Sequence, residues 1–206
     1  TAPKISDALT GRAEYIHLHP FTQGELCGRK EVFITSLFDG NLPELRGRAV
    51  GRRAYASAIA AGGFPEAVAR TSNRRARFFD SYLESSIERD LRGLASISDA
   101  TNASKLLSAI AATSASELNF ESLSRDLGLA SNTLRSYADL LETLFLIARI
   151  PPWSSNVLSR AIKAPKAFVS DSGMLTHLLG ADDAAIASGQ APLGSLVESF
   201  AAVEII

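Results

Sequence analysis

The 206-residue chain carries 46% hydrophobic and 21% charged residues, the balance of a folded protein and not of a disordered one. Its formal net charge of -1 removes any whole-molecule electrostatic argument for nucleic acid or an anionic membrane. One cysteine, Cys27, excludes an intramolecular disulfide and a multi-cysteine metal site and suits a reducing cytoplasm. No apolar run reaches the roughly 18 residues of a membrane span, and the opening residues do not read as a signal peptide. The only methionine is Met174, and the chain stops within the amphipathic run 196–206 with no polar cap or breaker after it. The expectation is a piece of a longer protein.

Residues 1–45 are mixed. Glu14-Tyr15-Ile16-His17-Leu18-His19 alternates as a strand does and places Tyr15, His17 and His19 on one face. Pro20-Phe21 ends it, and Thr22 is positioned to cap a short helix through Glu25-Leu26. Alanines predict a helix from about 48 to 61, closed by Gly62-Gly63. Pro65-Glu66 restarts one, with proline near N1 and the acid near the positive helix end. Phe78, Phe79, Tyr82, Leu83, Ile87 and Leu91 form an apolar stripe that predicts a helix over 74–94. Ala103, Leu106, Leu107, Ile110 and Ala111 predict another over 101–113.

Phe120, Leu123 and Leu127 then make a short amphipathic helix, broken at Gly128. Ser131 or Asn132 caps a longer one carrying Leu134, Tyr137, Leu140, Leu141 and Leu144. Helix, glycine turn and helix form a helix-turn-helix pattern. The β-prone run 145–150 and a returning strand at 167–170 add a wing. The predicted fold class is mainly α, a helical segment followed by a winged helix-turn-helix with a small β-hairpin.

Charge tests the DNA reading of that module, because lysine and arginine supply most phosphate affinity. Glu117 to Phe145 holds two basic residues, Arg125 and Arg135, against five acids. Asn132, Thr133, Arg135 and Ser136 lie where a recognition helix reads base edges. Arg149, Arg160, Lys163 and Lys166 on the wing partly restore the case. A structural or protein-docking winged helix is the stronger reading. Ten arginines and six acids between Glu44 and Arg92 read first as a solvated helix surface, with a phosphate-contacting face as the alternative.

Catalytic signals are poor. A phosphate-cradling Gly-x-x-x-x-Gly-Lys-Ser/Thr loop is absent from the sequence. His17 and His19 could share a metal, but no third ligand presents itself, and two half-buried histidines are the simpler reading. Asp171-Ser172-Gly173 reads as an acid and a glycine closing a strand and starting a helix. Gly62-Gly63-Phe64-Pro65-Glu66 reads as a helix-to-helix turn, with no chemistry assigned to Glu66. Glu198 is an acid among Leu196, Val197 and Phe200, and its simplest place is the solvated face of an amphipathic helix.

The order of these motifs resembles the C-terminal portion of prokaryotic AAA-type ATP-binding proteins. Leu9-Thr10-Gly11-Arg12 and Leu18-His19-Pro20-Phe21-Thr22-Gln23-Gly24-Glu25-Leu26 resemble the exit of their ATPase domain. Gly62-Gly63-Phe64-Pro65-Glu66, Ile87-Glu88-Arg89-Asp90-Leu91, Ser131-Asn132-Thr133-Leu134 with Tyr137, Pro165-Lys166, Asp171-Ser172-Gly173 and Gly194-Ser195-Leu196-Val197-Glu198 follow in the family's order. The resemblance covers residues 9–204 and implies four regions: the end of an ATPase domain (1–45), a helical linker or lid (46–116), a winged helix (117–180) usually described as of unknown function, and the start of a nuclease-like PD-(D/E)-x-K unit (181–206).

That resemblance implies an upstream ATPase domain as partner, with ATP and magnesium as cofactors of the parent and none in this segment. It implies Arg12 as a nucleotide-sensing or finger residue. Glu198 would be the first metal-holding acid of the nuclease-like unit, whose Asp and Glu-x-Lys do not occur before Ile206. The function expected is a non-catalytic regulatory or interaction module, cytoplasmic, without a membrane. DNA or another protein stands as an open partner, as does a second copy of the chain. A free-standing DNA-binding regulator is the alternative.

Overall fold

The computed structural model describes residues 14, 16–41, 50–90, 100–156 and 163–205. Short helices α1 (Gln23–Leu26) and α2 (Phe33–Phe38) lead in. They are followed by α3 (Arg52–Ala61), α4 (Pro65–Val68) and α5 (Ser72–Glu84), which continues as a π-helical stretch over Ser85–Asp90. Next come α6 (Ala100–Ala112), α7 (Phe120–Leu127), α8 (Ser131–Thr143), strands β1 (Ile147–Ile150) and β2 (Lys166–Val169), and helices α9 (Ser172–Leu178), α10 (Asp183–Ser188) and α11 (Leu193–Val203). The protein is mainly helical with one small antiparallel sheet, as the sequence predicts.

The core is centred on α6. Its Ala103, Leu106, Leu107, Ile110 and Ala111 are buried at helical spacing. Each large member contributes roughly 1.5–3 kcal/mol by leaving water. α8 and β2 pack on it, and α3 packs on α9 and α10 at the other side. Buried residues from Ala56 to Leu196 belong to one continuous hydrophobic cluster.

The helix-turn-helix forms for local reasons. Asn119 Oδ1 accepts the N–H groups of Glu121 and Ser122 at 3.0 Å each and caps α7. Gly128 ends α7 in the left-handed conformation, φ 67 and ψ 26. Strands β1 and β2 pair with Ile147 opposite Val169 and Ile150 opposite Lys166.

Several expectations are corrected. Residues 16–20 are not a strand, and His17 and His19 are exposed and not half-buried. Alternation gives a strand two faces but not a neighbour, and among the described residues no strand pairs with this segment. Ala130, without a side-chain bond, is the N-cap residue of α8 in place of Ser131 or Asn132. The Ser131 hydroxyl turns instead to Glu121, 3.0 Å away. The apolar stripe of α5 buries Phe79 and Ile87 and leaves Phe78, Tyr82 and Leu83 half-buried, while Leu91 lies outside the described residues.

A buried polar pair fastens α11 to the body. Ser114 Oγ and Ser199 Oγ lie 3.0 Å apart, both out of water. Ser199→Ala leaves the Ser114 hydroxyl unpaired, with an expected loss of about 1–2 kcal/mol. Adding Ser114→Ala removes the orphaned group, so the double variant should lose less than the sum of the singles in chemical denaturation. Strict additivity would show that the hydroxyls do not interact.

Candidate functional site

Three segments far apart in sequence meet at Asp171. The residue ends the turn after β2 and caps α9, with Oδ1 accepting the Met174 N–H at 2.7 Å. Its other oxygen, Oδ2, accepts the Gly63 N–H at 2.7 Å. Gly63 in turn accepts the Phe21 N–H through its carbonyl at 2.8 Å. The leading segment, the Gly62-Gly63 turn and the residue that follows β2 are thereby linked in series through Gly63.

The turn must be glycine to reach there. Gly62 has φ 66 and ψ -160, a conformation essentially reserved for glycine. A Cβ on it would stand 2.3 Å from Asp171 Oδ1, and one on Gly63 would stand 2.0 Å from the Phe21 carbonyl oxygen. Arg75 holds the same neighbourhood from α5, donating to the carbonyls of Ala60 (3.1 Å), Ala67 (3.2 Å) and Arg70 (3.1 Å). These carbonyls lie in the last turns of α3 and α4 and just beyond α4.

Burial pushes the Asp171 carboxyl above its ordinary range. The N–H groups of Gly63, Met174 and Gly173 and the charge of Arg75 pull the other way without overcoming it. The carboxyl is a structural latch with no solvent access, at 0% exposure.

Above this latch lies a groove of about 510 Å³ between residues 17–20, the segment from Glu142 to Ile150, β2 and Val203. His17 meets the ring of Phe145 edge-on, with centroids 5.2 Å apart. Phe145 has φ 56, a strained conformation for a bulky side chain. It sits at the bend from α8 into β1, where its ring lines the groove and is exposed. Arg149 is held between Asp139, 2.7 Å away, and Glu142. Partial burial works against its charge, yet the two carboxylates win and raise its pKa.

The recognition-helix candidates Asn132, Thr133, Arg135 and Ser136 are exposed on the first turns of α8. Two of them have partners within the chain. Arg135 stacks over the Phe120 ring at 4.6 Å and lies 3.8 Å from Glu121, and the Ser136 hydroxyl donates to the Asn132 carbonyl. Lys163 is exposed. Lys166, the candidate phosphate contact, pairs with Glu198, the candidate metal ligand, on the surface. Among the described residues no group of three or more His, Cys, Asp or Glu is placed to hold a metal. Glu66 pairs with Arg70 at 2.9 Å on the surface. Arg12 and Arg160 lie outside the described residues.

The sequence signalled Asp171 as a helix start and Gly62-Gly63 as a turn, but not their meeting. Nothing local encodes a hydrogen bond across 108 positions. The Arg75 clamp and the strained Phe145 carried no sequence signal at all.

These features define a class: a helical body bearing a helix-turn-helix backed by a two-stranded antiparallel sheet. The chain belongs to the family described as a domain of unknown function (DUF8612), which it matches over residues 52–185. Gly62, Gly63, Arg75 and Asp171 all lie within that span. The chain is also similar to the uncharacterized proteins Rv2008c of Mycobacterium tuberculosis and Mb2031c of Mycobacterium bovis. Identity is 31% over 163 residues in each case, covering 77% of this chain and 37% of the relative. The chain therefore spans little more than a third of the length of these curated relatives. No solved structure gives a significant match. Among the described residues no helix is long and apolar enough to cross a membrane.

Proposed function

We propose that this chain is a non-catalytic coupling module of an AAA-type ATP-binding protein, whose winged helix serves as a regulatory or interaction surface in the cytoplasm. The observation that carries the reading is the buried latch, in which Phe21 bonds Gly63 and Gly63 bonds Asp171. A shift of residues 17–21, driven by nucleotide state in a preceding ATPase domain, is handed through the turn to β2 and so to the helix-turn-helix. ATP and magnesium belong to that preceding domain, where Arg12 is a sensing residue. The partner of the winged helix is a protein surface in preference to DNA, because Arg135 and Arg149 are already engaged by acids.

The test is hydrogen exchange on the full-length protein with and without ATP and magnesium. Exchange across residues 62–145 and at the Gly63 amide should change on nucleotide addition; an unchanged pattern overturns the coupling. The DNA alternative is checked by duplex binding against salt. A DNA module loses affinity steeply as salt rises, whereas this chain should show no such binding even at low salt.

A further inference from the structure

The exposed large hydrophobic side chains are not scattered. Among the described residues all of them fall in 16–55, 145–153 and 197–205, and none between 56 and 144 or between 154 and 196. Most of this apolar surface lies on the segments before residue 52 and after residue 185, and the rest at Tyr55 and along 145–153. Singly exposed apolar residues need no explanation, but a contiguous face of them does.

The face is continuous. One end is the groove beside the latch, which joins Leu18 and Phe145 to Val203. The other is a groove of about 550 Å³ where Val32, Phe33 and Ile34 meet Val197 and Ile205. The last turn of α11 borders both, with Val203 on the first groove and Phe200 and Ala201 on the second.

Two helices on this face are incompletely covered. In α2 the sequence Phe-Ile-Thr-Ser-Leu-Phe buries none of its six residues, and no side chain caps its start. Phe38 is 85% exposed. A helix this short has no stability of its own in water. The other is α11, which carries a single charge, Glu198, in eleven residues. It buries Leu196 and Ser199 against the body yet leaves Val197 and Ala201 in solvent. A helix apolar around its circumference belongs between two layers.

We infer that α2 and the outward face of α11 form the docking surface for an adjoining domain of the same polypeptide. Three observations select that occupant. Both helices lie outside residues 52–185, the span shared with the family, so they flank the common body. The curated relatives have well over half of their length outside the part this chain matches. Charge is absent from α2 and nearly so from α11, and the two carboxylates of the groove between them, Glu31 and Glu204, accept the N–H groups of Gly24 and Gln23; that is the composition of a permanent interface, not of a surface that opens to water between encounters. The inference rests on the proposed function only in treating the chain as one part of a longer protein. Nucleotide plays no role in it.

The experiment uses the full-length protein without nucleotide, followed by hydrogen exchange and analytical sedimentation over a range of concentrations. Amides of α2 and α11 should be protected at every concentration. Phe38→Asp should raise exchange in α2 by at least about tenfold while exchange in α6 stays unchanged. Val197→Asp is the second variant, with the same expectation for α11. Unprotected helices in the unaltered protein overturn the inference. So does protection that fades on dilution together with a dimer-to-monomer shift, which would make a second copy the occupant. Nucleotide-insensitive exchange with full protection would defeat the coupling reading and leave this one standing.

Discussion

Replacing Asp171 with alanine is expected to cost about 3 kcal/mol or more, a fall of roughly 6–12 °C in Tm for a chain of this size. The carboxylate satisfies buried N–H groups of Gly63 and Met174 at 2.7 Å each. Its removal leaves both without an acceptor and without water. Asp171→Asn should lose less, since its side-chain carbonyl still accepts one N–H while its amide faces the other donor to donor. Thermal unfolding of the three proteins checks the order.

The pH dependence of that comparison has a definite sign. In the folded protein the Asp171 pKa is raised from its ordinary 3.8, mainly by burial. The folded state therefore holds this proton more tightly than the unfolded one. The resulting stabilisation is complete below about 3.8, the unfolded value, and is lost as pH rises through the folded value. The stability advantage of the native protein over Asp171→Asn should accordingly shrink as pH rises from 3.8 upward. An advantage that grows with pH over that window would show that the N–H groups and Arg75 outweigh burial.

Gly62→Ala should be of similar size, about 3 kcal/mol, because strain and collision add. Its backbone lies where L-residues do not settle, and its new Cβ would fall 2.3 Å from Asp171 Oδ1. Gly63→Ala acts differently. Its Cβ would fall 2.0 Å from the Phe21 carbonyl oxygen, which belongs to the leading segment and not to the core. Phe21 should be displaced, exchange at its amide should rise, and the α6 core should stay intact. Gly51→Ala is the control, since nothing stands within 4 Å of its Cβ position. If Gly62→Ala and Gly51→Ala unfold at the same temperature, the tight turn has been misjudged.

The second half of the fold was legible because its signals are local. Leu106, Leu107 and Ile110 recur at helical spacing and are buried on one face. Gly128 adopts the left-handed conformation that breaks α7 from α8. The runs at 147–150 and 166–169 pair as antiparallel strands. Residues 16–20 differ from the sequence expectation because an alternating pattern states which faces differ, not whether a neighbouring strand exists. The cap of α8 differs from the expectation because the hydroxyl of Ser131 donates to the carboxylate of Glu121 instead.

The candidate site was half visible. Gly62-Gly63 and Asp171-Ser172-Gly173 each stood out, and each was assigned a correct local role as a helix end and a helix start. Their joint role required the chain to return on itself. The same holds for Lys166 and Glu198, read separately as a phosphate contact and a metal ligand and found paired with each other.

The opening composition, moderately apolar, determined that a core would form. Periodicity and turn residues determined where most helices start and stop, since capping and amphipathic spacing act over a few residues. Only the tertiary structure decided what the charges and the leftover apolar residues do. It engaged Arg135, Arg149 and Lys166 with acids and buried Asp171 against a distant glycine. It also gathered the uncovered side chains of α2 and α11 on one face. Those outcomes depend on which surfaces exclude water from one another, and that is settled by packing between segments far apart in the chain.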